Sequence, residues 1–301
     1  MSQIALLGAI EVGLLFALVA LGVYLSFRIL QFPDLTVDGS FPLGAAVCAS
    51  MIVAGFDAYL ATLCAMFAGA AAGIVTAWLN VRLKILHLLA SILTMIALYS
   101  VNLRIMGRPN VALLGEETVF SPLEMLEESF DMPMYVALPI ALTVLLIIVK
   151  VALDWFLNSE IGLAMRATGE NPRMARAQGI HTNGYILGGM ALSNALVALA
   201  GALFAQSQGA ADVTLGVGVI VVGLAAVIGG EAVMNTRTVF RATLACIIGS
   251  IIYRLAVAGA LNSDAIGLKA QDLNLITAVL VTLAMVLPGV RNPFRKKGGA
   301  S

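Results

Sequence analysis

Six residues in one short stretch, Arg166, Gly169, Glu170, Asn171, Arg173 and Arg176, offer charge and geometry suited to docking rather than to bond chemistry. The segment opens with Ser159 and Glu160 and runs through good helix formers to Thr168. Gly169 reads as a break, and Asn171-Pro172 as the N-cap and first residue of a new helix. Two short helices joined at the glycine are expected. In the second, Arg173 and Arg176 are three residues apart and share a face, with Met174 and the alanines 175 and 177 available to pack into a groove. The plainer reading is a connecting loop that merely carries the positive charge found on one side of a membrane.

The surroundings of that stretch are almost continuously apolar. Hydrophobic residues make up 60% of the 301 residues, charged residues only 11%, and the mean hydropathy is +0.99, which excludes a soluble globular domain. Against that background, Thr36, Asp38, Ser40, Asn102, Ser193, Asn194 and Gln206 stand out as polar groups where polar groups are costly. Asp34 and Asp38 lie one helical turn apart ahead of Gly39 and Pro42, a pattern that suits the capping of a half-helix. The same pattern also suits Thr36, Asp38 and Ser40 lining a polar path, because unwound backbone at membrane depth must be buried in protein or face water. Asn102, Asn194 and Gln206 read either as hydrogen bonds between helices or as path-lining groups, with Ser193-Asn194 the strongest pair. Glu11, Asp57 and Asp154 fall nearer the ends of their spans.

Bond-making chemistry finds no support. His87 and His181 are too far apart to build a metal site, and no H-E-x-x-H, C-x-x-C or G-x-S-x-G pattern occurs, so neither a catalytic residue nor a metal ligand is assigned. No G-x-x-x-x-G-K-[ST] is present either, so any ATP and magnesium would be held by another chain, with no cofactor on this one. Cys48, Cys64 and Cys246 read as small buried hydrophobes. The 17 basic and 17 acidic side chains cancel, which argues against a nucleic-acid partner.

The elements that must position these residues are helices. At about 20 apolar residues per crossing, spans are expected near 4–27, 42–56, 58–79, 85–106, 134–157, 184–207, 213–231, 238–258 and 272–289. The fold class is therefore all-α, a polytopic membrane protein of about eight to ten transmembrane helices forming a single domain over 1–301. The 42–56 run is short and 213–231 is rich in glycine, so either is expected to be broken or re-entrant. Glycine pairs such as Gly69 and Gly73 suit close helix packing within the chain, and the glycines of 213–231 suit a sliding helix or contact with a second copy. Basic residues Arg82, Lys84, Arg166, Arg173, Arg176, Arg237, Arg241 and Arg291 to Lys297 mark cytoplasmic positions, whereas 107–133 is acidic. The expected arrangement has the N-terminus outside, a periplasmic loop at 107–133, a cytoplasmic segment at 158–183 and a cytoplasmic tail at 291–301. The first span reads as retained rather than as a cleaved signal peptide.

The stretch 160–180, Glu-Ile-Gly-Leu-Ala-Met-Arg-Ala-Thr-Gly-Glu-Asn-Pro-Arg-Met-Ala-Arg-Ala-Gln-Gly-Ile, resembles the coupling-loop motif of bacterial ABC-importer permeases of the branched-chain amino acid and ribose class. Asp34-Leu-Thr-Val-Asp-Gly-Ser-Phe-Pro-Leu-Gly-Ala (34–45), Ala-Gly-Ala-Leu-Phe (200–204) and Gly-Leu-Ala-Ala-Val-Ile-Gly-Gly (223–230) extend the resemblance over nearly the whole chain. At 32–41 the chain is similar to the branch linked with uptake of aromatic or other amino acids. The ribose type would carry Gly-Gly-Ile-Asp-Leu-Ser-Val-Gly there. The resemblance implies a bacterial inner-membrane subunit that works beside a second permease copy, two ATP-binding cassette subunits and a periplasmic solute-binding protein. It assigns the contact with the ATPase to Arg166, Gly169, Glu170, Asn171, Arg173 and Arg176. Of the competing classes, a secondary transporter or channel for a small polar solute would ordinarily show inverted repeats and a clearly placed intramembrane ion-coupling group, and an intramembrane enzyme has no recognisable nucleophile here.

Overall fold

Most of the residues that the structure describes are helical, because a chain this apolar must satisfy its backbone within each segment. The structure is a computed structural model and describes residues 3–123 and 133–261, together with 279 and 282. Helix α1 (Gln3–Val23) continues as a π-helical turn, Tyr24–Ile29. It is followed by α2 (Val37–Val53), α3 (Ala58–Leu83), α4 (His87–Met106), α5 (Met134–Asn158), the short α6 (Glu160–Glu170) and α7 (Pro172–Ala177), and then α8 (Thr182–Gln208). A 3-10 turn, Val213–Gly216, precedes α9 (Val219–Val233), and α10 (Val239–Leu261) closes the described part. Seven of these segments are long and apolar enough to cross a membrane, and Val37–Val53 is a shorter apolar helix. The span expected at 272–289, the tail at 291–301 and most of the acidic loop beyond Leu123 lie outside the described residues.

Two boundaries differ from the sequence reading. Helix α2 begins at Val37 rather than at 42 and carries Pro42 inside it. Residues 37–40 are helical because the Asp38 and Ser40 side chains and the Gly39 carbonyl find partners on neighbouring helices. The expected glycine break at 169 does not occur. Helix α6 runs through Gly169 to Glu170, and the chain turns at Asn171, whose φ of −150° and ψ of 91° take it out of the helix. The expected irregularity of 213–231 is present as the 3-10 turn and the left-handed Gly218 (φ +82°) before α9.

The core sits between α1, α2, α8, α9 and α10. Leu15, Ala17, Val19, Ala20 and Leu21 of α1 are all inaccessible, so this helix is surrounded rather than lipid-facing along its middle. Helices α3 and α8 pack closely because Gly69 and Gly73 present no side chain. A Cβ at Gly69 would meet Ala198 and the Asn194 carbonyl, and one at Gly73 would meet the Met190 carbonyl. The outward faces of α3, α4 and α5 expose Phe67, Ile96, Ile148 and Trp155, the apolar surface expected against lipid. A small antiparallel clip joins β1 (Asn110–Ala112) to β2 (Ala210–Asp212), pairing Asn110 with Asp212 and Ala112 with Ala210. This clip fixes the end of α4 and the end of α8 on one side of the bundle. Within it, the Thr214 hydroxyl and amide hold the exposed Asp212 carboxyl below the usual carboxylate range.

Candidate functional site: the coupling segment and a buried polar junction

On the opposite side of the bundle from the β clip, α6 and α7 form a bracket between α5 and α8. The Ser159 hydroxyl accepts from the Gly162 amide at 3.3 Å, capping α6, and donates to the Phe156 carbonyl at 2.6 Å. Asn171 Oδ1 accepts from the Met174 amide at 3.1 Å, so Asn171-Pro172 does form the N-cap and first residue of α7. The inner face of α6 carries Met165 and Thr168, both nearly inaccessible, and Gly169. A Cβ at Gly169 would strike the Ile29 carbonyl, so the glycine marks backbone contact between α6 and the π turn at the end of α1 rather than a flexible joint. That turn is also tied to α9, where Arg28 pairs with Glu231.

The outer face of the bracket is different. Glu170, Asn171, Arg173, Met174 and Arg176 are exposed and Arg166 is half-buried. Arg176 Nε donates to the Pro172 carbonyl of its own helix at 3.1 Å, and among the described residues neither Arg173 nor Arg176 forms an ion pair. Met174 is 60% exposed, a large apolar side chain beside two cations. Behind the bracket, a cavity of about 530 Å³ lies between α6 and α8, lined by Phe156, Met165, His181, Tyr185 and Leu192 among others. The six residues singled out from sequence thus divide. Gly169 is buried against the π turn and Asn171 shapes the bracket, while Arg173, Arg176 and Glu170 face outward.

Of the polar residues picked out within the spans, Thr36, Ser40 and Asn194 come together at one place and Gln206 lies at a second. Asn194 of α8 is the centre of the first. Its Nδ2 donates to Asp34 Oδ2 at 2.8 Å and to the Met190 carbonyl at 3.1 Å, and its Oδ1 accepts from the Ser40 hydroxyl at 2.7 Å. Asp34 also accepts from the Thr36 amide at 2.9 Å, and Thr36 shares a 2.8 Å hydrogen bond with Thr76 of α3. Asp34, Thr36, Ser40, Thr76, Ser193 and Asn194 are all inaccessible. Asp38 turns the other way and accepts from the Ile220 amide at 2.8 Å, capping the N-terminus of α9. The two half-helices α2 and α9 therefore begin beside each other in the interior of the bundle, the arrangement that a buried carboxylate favours at a helix start. Of the capping expected of Asp34 and Asp38, Asp38 caps a helix other than its own, whereas Asp34 accepts from the Thr36 amide just ahead of α2, whose N-cap makes no side-chain cap bond. Asn102 donates to the Gly39 carbonyl at 3.3 Å while its own side-chain oxygen has no partner among the described residues, and Ser193 donates to the Gly22 carbonyl at 2.7 Å.

Gln206 belongs to the second place. Its Oε1 accepts from the Val119 amide at 2.9 Å, and its Nε2 donates to Thr62 Oγ1 at 2.9 Å and faces Cys48 Sγ at 3.2 Å. Cys48, read as a buried hydrophobe, is also a polar neighbour of Gln206. Sequence reasoning passed over Lys150, which pairs with Asp154 one turn away on α5 while Thr243 of α10 donates to the same carboxylate at 2.7 Å. Lys150 Nζ also lies 3.6 Å from the centre of the Phe240 ring. The i, i+4 spacing of the lysine and aspartate was available in the sequence.

The family model described as "Branched-chain amino acid transport system / permease component" matches residues 5–287. The chain is similar to the tyrosine transport system permease protein of Clostridioides difficile, 36% identical over 96% of this chain and 92% of that one. It is 27% identical to the galactofuranose transporter permease protein YtfT of Escherichia coli over 86% of this chain and 72% of that protein. Among solved structures, a chain of "PsaBC from Streptococcus pneumoniae in complex with Fab" superposes with a TM-score of 0.50 at 15% identity, covering 94% of this chain and 90% of that chain, a likeness of fold. The chain belongs to the branched-chain amino acid transport system permease family and is the multi-pass membrane permease subunit of an ABC importer.

Proposed function

We propose that this permease carries an amino acid, aromatic ones included, inward across the bacterial inner membrane, and that an ATP-hydrolysing partner drives it through α6 and α7. The observation that carries the reading is the two-faced bracket. Its inner face is seated on the π turn through Gly169 and its outer face presents Arg173, Met174 and Arg176 to a soluble partner. The π turn leads within a few residues to Asp34 and Thr36, so displacement of α6 acts directly on the chain that enters the polar junction. The amino-acid cargo is supported by the similarity to a tyrosine transport system permease.

The bracket is assigned to the cytoplasm and the β clip to the outside, with the N-terminus outside and the C-terminal tail inside. Arg28, Arg82, Lys84, Arg237 and Arg241 cluster with the bracket in the order of helix crossings, whereas Asp57, Glu116, Glu117 and Asp212 accompany the clip, against Arg108. A cavity of about 1130 Å³ on the clip side, lined by Asp57, Tyr59, Glu116 and Glu117 among others, suits the landing of a periplasmic binding protein. A second copy of the chain completes the path.

Arg173→Glu combined with Arg176→Glu tests the drive. The double variant is expected to insert and assemble normally but to lose both uptake and substrate-stimulated ATP hydrolysis in reconstituted vesicles. Full transport by that variant would refute the assignment of the bracket.

A further inference from the structure

Arg254 lies on α10, roughly 10 Å along the helix from its Leu261 end at about 1.5 Å per residue, well inside a membrane-crossing segment. Its guanidinium carbon is 4.2 Å from the centre of the Phe16 ring of α1. Phe16 in turn packs against Phe41 of α2 and Phe204 of α8 at 5.7 and 6.1 Å between ring centres, and Phe41 and Phe204 are 5.6 Å apart. Gly13 lets α10 approach α1 at this level, where the Ser250 hydroxyl donates to the Gly13 carbonyl at 2.8 Å. Two residues before Gly13 stands Glu11, facing Ser207 of α8, whose hydroxyl donates to the Phe204 carbonyl at 3.1 Å. Four helices therefore bring one cation, one anion and three aromatic rings to the half of the bundle that carries the β clip.

The pairing of this group is unlike that of the other charged groups in the bundle. Lys150 is paired with Asp154, Asp34 is held by Asn194 and Thr36, and Asp38 caps α9. Among the described residues, Arg254 Nε is buried with no hydrogen-bond partner and no carboxylate pairs with the guanidinium. A cation inside a membrane-crossing segment is costly, so a guanidinium that meets an aromatic ring but no carboxylate among the described residues points to a ligand or a water-lined path. Packing against Phe16 alone would be served by an apolar side chain of the same length. Arg254, Glu11, Phe204 and Ser207 are partly exposed, while Phe16 and Phe41 form the buried floor.

We propose that Arg254, Glu11 and the Phe16, Phe41 and Phe204 cluster form a transit site for a zwitterionic amino acid with a large apolar or aromatic side chain. Arg254 takes the α-carboxylate through charge-assisted hydrogen bonds, Glu11 takes the α-ammonium group, and the partly exposed Phe204 ring receives the side chain. This site rests on the amino-acid reading of the cargo given above.

The test uses the complete importer, with its ATPase and binding protein, reconstituted in vesicles and supplied with radiolabelled L-tyrosine. Arg254→Met retains length and packing over Phe16 but removes the charge. Losing a charged hydrogen bond of about 1.5–3 kcal/mol is expected to reduce uptake by about tenfold or more, with assembly and binding-protein-stimulated ATP hydrolysis retained. Glu11→Gln is expected to reduce uptake in the same way. Wild-type uptake by Arg254→Met would overturn the site, and so would failure of that variant to assemble, which would assign the guanidinium to structure. A wild-type importer inert toward amino acids overturns the cargo reading instead, so the two failures are distinguishable.

Discussion

Replacing Gly169 by alanine isolates the contact through which the bracket acts. On intrinsic propensity alone the change should help, because alanine in a helix interior is favoured over glycine by about 1 kcal/mol. The structure predicts the opposite. The new Cβ would strike the Ile29 carbonyl and crowd Leu30 Cα at 3.0 Å, and both are backbone atoms that cannot swing aside as a side chain would. Overpacking of this kind costs about 1–3 kcal/mol, which as a coupling free energy corresponds to about 5- to 150-fold. Substrate-stimulated ATP hydrolysis and uptake in vesicles should fall together by that factor, while the permease still extracts and assembles as the wild type does. Gly184→Ala serves as the control, since a Cβ there meets nothing within 4 Å. Coupled uptake by Gly169→Ala within about twofold of wild type would refute the idea that α6 works by direct backbone contact with the π turn, since a 1 kcal/mol clash already predicts about fivefold.

Further expectations concern the interior. Asn194→Leu leaves Asp34 and Ser40 each short of a hydrogen bond and should destabilise the protein by about 1–4 kcal/mol, read as a lower unfolding midpoint in detergent; an unchanged midpoint would remove Asn194 from the centre of the junction. Lys150→Met strands the nearly buried Asp154 and should cost about 3–5 kcal/mol, whereas Lys150→Met with Asp154→Leu should recover most of the loss. A double variant as unstable as the single one would show that the lysine acts through its packing on Phe240 rather than through the pair.

What the sequence made legible depended on how local the cause was. Apolar runs marked the helices, and Asn171-Pro172 marked the start of α7, because the Met174 amide that it satisfies is only three residues away. Gly169 was misread as a break because a glycine that flexes and a glycine that permits contact look alike until the Ile29 carbonyl is placed against it. The pattern Asp34 to Pro42 announced a half-helix, but the second beneficiary of its acids lies 182 residues away at Ile220, and Asn194 lies 160 residues from Asp34. No local rule links such positions. The β clip was missed for the same reason, since its strands are three residues each and carry no alternation long enough to register. Arg254 and Lys150 escaped attention because the basic residues weighed were those of the loops and ends, where they mark sidedness.

The shared cap at Asp38 has a mechanical consequence. Pulling α2 and α9 apart would strip the buried Ile220 amide of its acceptor, so the pair should travel as one piston during any exchange of inner and outer openings. Hinges then fall to the links that flank the pair, the left-handed Gln31 on one side and the stretch from Met234 to Thr238 on the other. A covalent staple between the two helices should accordingly leave turnover intact, whereas one that immobilises either link should stall it.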